Sequence, residues 1–312
     1  MKRKSIKESQ ENSRIIPFNS KSFQLHQLHC SLFTPSPEQY LLNTVSITFE
    51  NVFKDPQFNS KLTSIKAFFK TRDFNSIFSN PELLPIYVVE YIAGRALCYR
   101  DTFLKLQDLQ LLLQSDNTTI LCLGSGNGAE LLGISAATVN VNRTGKIHII
   151  NQDMSDYGVI PDLTDAIHSH YHEYLNPNNL SSQVLLGDLC DSNNLESLTN
   201  HIQNSQLITS CFLLNEIFTL SKTSFAKLIS CIVNTIKKGA YFLVIDSAGS
   251  FSECTIGESK QNQYMLFNIL DSIQSFECLE KHDSVWYRFP KELDYPLPLR
   301  NMRFFLRLYR KR

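Results

Sequence analysis

The sequence predicts an α/β protein, an open and mostly parallel sheet with helices on both faces, preceded by a helical extension. Three observations carry this. From about Pro37 to Leu113 apolar residues recur at helical spacing. After residue 118 short apolar runs alternate with amphipathic segments, the pattern of repeated strand-helix units. The first of those runs empties into Gly124-Ser125-Gly126-Asn127-Gly128. Glycines in that place let a buried strand turn sharply beneath a nucleotide-like ligand and enter a helix.

The elements follow in order. Residues 1–14 are polar and read as a disordered basic tail; its Lys2-Arg3-Lys4 cluster is either a weak nuclear signal or simply solvated. Residues 15–115 form the helical extension. Pro37 suits the first turn of a helix with Ser36 as its cap, and Leu41, Leu42, Val45, Phe49 and Phe53 follow. Asp55-Pro56 punctuates before Leu62, Ile65, Phe68 and Phe69. A third helix starts near Pro81–Pro85 and carries Tyr87, Val88, Tyr91, Ile92 and Leu97; a fourth runs from about Arg100 to Leu113.

Residues 116–312 form the sheet domain. Strands are expected at Ile120–Leu123, Lys146–Gln152, Gln183–Leu186, Leu207–Leu214 and Tyr241–Ile245. Helices are expected at Glu130–Ala137, Asp162–Leu175, Leu195–Gln203 and Ser224–Ile236, the last closed by Lys237-Lys238-Gly239. Two late strands, Val285–Phe289 and Arg303–Leu308, are joined by a proline-rich loop with no helix, so they should pair antiparallel.

Composition limits the partners. Hydrophobic residues make up 43% and charged residues 19% of the 312, with zero formal net charge, so no overall field draws the chain to nucleic acid. No apolar run reaches the roughly 18–20 residues of a membrane span, and no apolar core follows the basic N-terminus as in a secretory signal. The eight cysteines are scattered without a C-x-x-C pair. We therefore expect an intracellular, reducing compartment, no disulfide framework, no membrane and no metal.

A doubly wound sheet holds its ligand beyond the carboxyl ends of its strands. The glycine spacing is G-x-G-x-G, not the G-x-G-x-x-G of dinucleotide proteins, and Glu130 stands just beyond it. A pyrophosphate wants free N–H groups and no carboxylate at the helix N-terminus. S-adenosylmethionine carries no phosphate and its sulfonium and amino groups are cationic, so Glu130 is compatible with it. The P-loop pattern is absent. The second strand ends at Asp153, read as a paired acceptor for ribose hydroxyls because it falls at a strand's carboxyl end, against a helix cap or a solvated turn residue. The third ends at Gly187-Asp188-Leu189, where Asp188 could accept from the adenine amino group and Leu189 could pack on the ring. The fourth ends at Leu214-Asn215-Glu216-Ile217 and the fifth at Ile245-Asp246-Ser247. Glu216 or Asp246 could orient a substrate or take its proton; surface capping would account for either equally well. Arg95 or Arg100 could clamp the carboxylate of the methionine moiety.

Three segments together, Gly94–Asp101, Ile120–Glu130 and Asp153–Tyr157, resemble a fungal family of S-adenosylmethionine-dependent methyltransferases that includes the uridine-N3 methyltransferase of 25S ribosomal RNA. The resemblance runs from about residue 40 to the C-terminus; where the family carries Trp, this chain has Tyr157. It implies a Rossmann-like, seven-stranded class I methyltransferase fold with the last strand inserted antiparallel. It implies cofactor contacts at Gly124, Gly126, Gly128, Asp153 and Asp188, to which Arg95, Ser125, Asn127, Leu189 and Asn215 are added as neighbours. It implies an rRNA substrate, with a pre-ribosomal particle as a further partner, in the nucleus, nucleolus or cytoplasm.

Uridine N3 belongs to a weakly acidic imide, so its methylation needs a proton acceptor, and the base must be exposed or flipped. Tyr157 and Phe218 are stacking candidates. Arg303, Arg307 and Arg310 on the final strand are candidate phosphate contacts, although a charged edge strand reads the same way. Cytosine C5 chemistry would need a nucleophilic cysteine after proline, which is absent, and the Asn/Asp-Pro-Pro-aromatic turn of amino methylation is absent too. Two other readings stay open: a methyltransferase for a small molecule or a protein, and a non-catalytic assembly scaffold that keeps the fold.

Overall fold

The computed structural model describes residues 35–141, 145–171, 175–249, 253–255 and 263–312. The basic tail at 1–14, the start of the extension to residue 34, and parts of the Ala137–Gly145 loop and of the expected Asp162–Leu175 helix lie outside the described residues.

The extension is helical throughout. It comprises α1 (Pro37–Thr48), α2 (Glu50–Phe53), α3 (Phe58–Thr71), α4 (Phe74–Phe78), α5 (Leu84–Lys105) and α6 (Gln107–Gln114). Ser36 caps α1 by accepting from the Gln39 N–H, and Asp73 caps α4 through the Ser76 N–H. The expected break at Arg100 is not there. The helix begun at Leu84 runs on through Arg100 to Lys105 and stops at Leu106, which is extended. Nothing near residue 100 interrupts the helical apolar spacing: Ala96, Leu97, Tyr99 and Phe103 are all buried on α5.

The sheet domain starts with β1 (Asn117–Leu123), α7 (Ala129–Asn140), β2 (Lys146–Asp153), α8 (Ile160–His170) and β3 (Leu180–Leu186). It continues with α9 (Ser192–Asn204), β4 (Leu207–Cys211), α10 (Leu214–Leu220), α11 (Lys222–Thr235) and β5 (Tyr241–Ser247). Two short strands, β6 (Glu253–Thr255) and β7 (Gln263–Met265), pair with each other. Then come α12 (Leu266–Asp271), β8 (Phe276–Tyr287) and β9 (Met302–Lys311).

Seven strands form one sheet in the order β3-β2-β1-β4-β5-β9-β8. The first five are parallel, and β9 runs antiparallel between β5 and β8. This is the strand arrangement that the resemblance implied. The chain builds outward from β1 to β3, then crosses back to β4, so the strand order reverses between β1 and β4. The loops leaving those two strands part there and open a crevice.

One expectation fails at that point. The fourth strand does not reach Leu214; it ends at Cys211, and Leu214 opens the short helix α10. An apolar run does not separate strand from buried helix by itself. Here Phe212 in the left-handed region (φ 56°) makes the break.

The extension shares its core with the sheet. One apolar cluster joins Leu41, Ile65, Val88, Ile92 and Leu97 of the extension to Ile120, Cys122, Ile147 and Leu306 of the strands. A second cluster fills the other face between α9, α11, α12 and the sheet. At Gly133 of α7 a Cβ would lie 2.7 Å from the Ala96 carbonyl oxygen, so α5 packs against α7 at backbone distance. That contact fixes α5 above the crevice. Two ion clusters, one buried around Arg100 and one around buried Arg307 that reaches the surface at Asp283, tie the ends. Arg100 donates to Glu38 (3.0 Å) and Asp101 (2.9 Å), while Tyr287 donates to Asp101 (2.9 Å). Arg307 donates to Asp271 and Asp283, and Tyr309 donates to Asp271. Burial opposes ionisation of Asp271, but Arg307, Tyr309 and Lys281 hold its carboxyl below the usual range.

Candidate active site

The crevice between the ends of β1 and β4 holds a cavity of about 350 Å³, within the usual range for a small-ligand site. Gly124, Asp153, Asp188, Leu189, Glu216 and Arg95 all line it, together with Gln152 and Tyr157. Strand ends from β1, β2 and β3, the first turn of α10 and the middle of α5 therefore meet at one place.

The wall is built locally. Gly124 turns the chain with φ 67°, against Leu213 after β4. At Gly126 a Cβ would lie 2.3 Å from the Tyr157 ring and 2.8 Å from the Asp153 carboxyl carbon, so only glycine lets the loop approach. Its N–H donates to Asp153 Oδ2 (2.9 Å), and the Ser155 N–H donates to Oδ1 (3.1 Å). Each carboxylate oxygen keeps acceptor capacity beyond that one bond. Burial pushes the Asp153 carboxyl up to about 6, with those N–H groups opposing. Ser155 donates in turn to the Phe78 carbonyl (2.5 Å), which ties the loop after β2 to α4. Asp188 accepts from the Cys190 N–H at one oxygen (2.8 Å).

The loop's other residues stand behind this wall. Ser125 is fully buried and donates to Asn151; Asn127, just before the α7 N-cap Gly128, accepts from the Ala129 N–H; a Cβ on Gly128 would meet Leu163 of α8. Their part is to shape the turn. Glu130 is also behind the loop, 3% exposed and outside the cavity lining, with Oε1 unbonded. Burial raises its carboxyl to about 7. Its effect on a ligand would be exerted through the helix end, without contact.

Arg95 and Arg100 separate sharply. Arg100 is spent in the buried cluster with Glu38 and Asp101 and cannot act as a clamp. Arg95 donates to the Tyr87 hydroxyl (2.8 Å) and lies over the rings of Tyr91 and Phe212, 5.1 Å from each centroid. The final-strand arginines are also dispersed. Arg307 is 0% exposed in its ion cluster, Arg310 pairs with Glu277, and alternation puts Arg310 on the opposite face from Arg303 and Arg307. They do not form a phosphate-binding row. Phe218 packs edge-on against Phe225 and does not line the cavity, whereas Tyr157 does.

A second cavity of about 260 Å³ adjoins the first. Phe74, Arg95, Phe212 and Glu216 line both. Asn215 and Asp246 are here: the Asn215 N–H and side-chain amide donate to Asp246 (3.1 and 2.7 Å), as does the Ser247 N–H (2.7 Å). The Asp246 carboxylate is thus fixed by three donors. Glu216 is half-buried and accepts no hydrogen bond from the described residues. Burial raises its carboxyl to about 8, Arg95 opposing and Asp246 and Asp153 adding to the rise. A carboxyl placed near neutrality at the junction of two cavities is suited to accept and release a proton.

Phe212, Tyr87, Phe74, Phe69 and Arg72 also line these cavities, and the strand-end reading did not find them. The aromatic density of residues 68–91 was the one available signal, and it reads equally as core.

The residues present fit S-adenosylmethionine. Carboxylate acceptors with spare lone pairs stand at two strand ends, Leu189 offers an apolar wall, Arg95 offers a cation, and the Gly126 approach would be filled by any side chain. No group of three His, Cys, Asp or Glu that could hold a metal occurs among the described residues. No described helix is long and apolar enough to cross a membrane.

A family model described as "Putative SAM-dependent methyltransferase" matches residues 45–310. The 25S rRNA (uridine(2843)-N(3))-methyltransferase of Saccharomyces cerevisiae is 27% identical over 339 aligned positions, covering 95% of this chain and 91% of that protein. Among solved structures, an O-methyltransferase family protein from Burkholderia thailandensis matches 83% of this chain and 70% of its own, at 10% identity and a TM-score of 0.45. TehB from Haemophilus influenzae matches 63% and 58%, at 16% identity and 0.37. These structural likenesses are loose and add nothing to what the strand order shows.

Proposed function

The chain belongs to a family of S-adenosylmethionine-dependent methyltransferases, and from that premise we propose that its acceptor is N3 of a uridine in large-subunit (25S) ribosomal RNA. The observation that carries the proposal is Glu216, raised to about 8 where the two cavities meet. An imide proton is held too tightly for an ordinary carboxylate, and raising the carboxyl narrows the mismatch. The yeast relative's activity points to the same atom.

In this reading Asp153 would accept from the ribose hydroxyls of the cofactor and Asp188 from its adenine amino group, Leu189 would pack on the ring, and Arg95 would hold the methionine carboxylate. The bound cofactor supplies an electrophilic methyl group on a cationic sulfur. The remaining work belongs to the second cavity. Phe74 and Phe212 stack on the base, and Glu216 accepts the N3 proton. Asn215 positions Asp246, whose three donors leave it a wall group; Glu216 is the base.

The test is mass spectrometry of large-subunit rRNA nucleosides from cells with the gene deleted. Loss of 3-methyluridine, restored by the wild-type gene and not by Glu216→Gln, is the expected result. Unchanged 3-methyluridine in the deletion strain sinks the proposal and leaves a small-molecule or protein acceptor. The reading also places the protein with large-subunit rRNA or its precursors in nucleolus, nucleus or cytoplasm. Copurification with pre-ribosomal particles checks that.

A further inference from the structure

Among the described residues only two non-glycine positions have positive φ, Arg72 (59°) and Phe212 (56°), and both line the second cavity. Such conformations persist when the surroundings impose them, and they gather at functional sites. Arg72 is the left-handed residue that ends α3. Its N–H donates to the Phe69 carbonyl, and the Asp73 N–H donates to Phe68 (2.9 Å). Glycine is the usual occupant of that position and asparagine the common second choice. An arginine there is a strained choice that the helix end does not require.

Its location supplies a reason. Phe69, Arg72 and Phe74 bring the α3–α4 turn of the extension over the ends of β4 and β5, and Arg72 is exposed while Phe69 and Phe74 are partly covered. The floor beneath carries Glu216 and Asp246. Asp246 is an acceptor already met by three donors, so the floor offers a phosphate no donor, and a nucleotide that puts its base into this cavity leaves its phosphate at the rim. Of the two arginines that line this cavity among the described residues, Arg72 is the exposed one and Arg95 is enclosed by aromatic rings.

We propose that Arg72 binds the backbone phosphate beside the target nucleotide, so that the helical extension forms part of the RNA site. The inference rests on the RNA reading of the cavity. An arginine fork suits phosphate oxygens, and one phosphate contact fixes the register of a strand whose base is turned inward.

The experiment compares wild type, Arg72→Gly and Arg72→Lys on large-subunit rRNA from cells lacking the gene. It measures methyl incorporation, melting temperature and cofactor affinity. For Arg72→Gly the melting temperature serves as the check that the fold is kept, glycine being the residue that suits the left-handed position, and cofactor affinity should be unchanged. The KM for RNA should rise roughly tenfold with kcat kept. The slope of log KM against log salt should fall by about 0.7, the share of one phosphate on a single strand. Arg72→Lys should fall between, keeping the charge without the fork. If Arg72→Gly keeps the wild-type KM and salt slope, Arg72 is a helix terminus and the inference is overturned alone. If wild type transfers no methyl to RNA, the RNA reading falls and takes this inference with it.

Discussion

Replacing Glu216 by glutamine should stabilise the cofactor-free protein while abolishing its chemistry. The carboxyl is raised from 4.5 to about 8 by burial. Between those values the unfolded chain has lost this proton and the folded protein keeps it, so stability falls as pH rises. At about 1.36 kcal/mol per tenfold change in proton affinity, the loss between pH 5.5 and 8.5 would be on the order of 3 kcal/mol in a sealed site. The cavity is open at its mouth, and solvent screening reduces this to roughly 1–2 kcal/mol. Asp153 and Glu130 are raised by burial too, to about 6 and about 7, and destabilise in the same direction. Both are present in wild type and variant, so the difference between the two proteins isolates Glu216. The assay is urea denaturation of both proteins at pH 5.5 and 8.5 and equal ionic strength, beside methyl transfer at pH 8. The variant should gain about 1–2 kcal/mol over wild type on going to the higher pH while transfer falls on the order of a hundredfold or more. An advantage that does not grow with pH would refute the placement of this carboxyl, and retained transfer would refute its role as base.

Asp153→Asn should weaken cofactor binding roughly tenfold to a hundredfold, since it removes an ionic acceptor and leaves the Gly126 and Ser155 N–H groups a poorer one; calorimetry reads it. In wild type, cofactor affinity should decline as pH falls through about 6, where Asp153 takes up its proton; a flat profile from pH 5 to 8 would contradict its role. Gly126→Ala should abolish cofactor binding with circular dichroism unchanged, because the new methyl stands 2.3 Å from the Tyr157 ring. Arg100→Ala should cost about 3–5 kcal/mol of stability by leaving Glu38 and Asp101 buried without their cation. A loss below about 1 kcal/mol would mean the cluster is solvated.

The parts of the site legible in the sequence are those that backbone chemistry fixes locally. A glycine run after a short apolar strand predicts a turn, and Gly124 and Gly126 are where that turn needs them. Acidic residues at the ends of successive strands, Asp153 and Asp188, face one cavity because parallel strands end at one edge. The late strands pair antiparallel, as expected from a proline-rich connection that carries no crossover helix. The misread parts depended on distant packing. Arg95 and Arg100 lie five residues apart on one helix, about 140° around its axis. Gly133 presses that helix onto α7, and the packing sends Arg95 to the cavity and Arg100 to Glu38. Arg307 alternates inward to meet Asp271, 36 residues away.

The sequence by itself determined the sheet, its cofactor edge and the kind of ligand the edge accepts, since strand periodicity, turn chemistry and strand-end polarity are properties of neighbouring residues. Only the tertiary structure decided what stands across from that edge. The α3–α4 turn and α5 close over β4 and β5 through contacts between residues more than a hundred apart. Those contacts bring a glutamate and a helix-ending arginine to the lining of one cavity. No local pattern encodes that, because the burial and charge around Glu216, and the cavity wall facing Arg72, come from residues distant in the sequence.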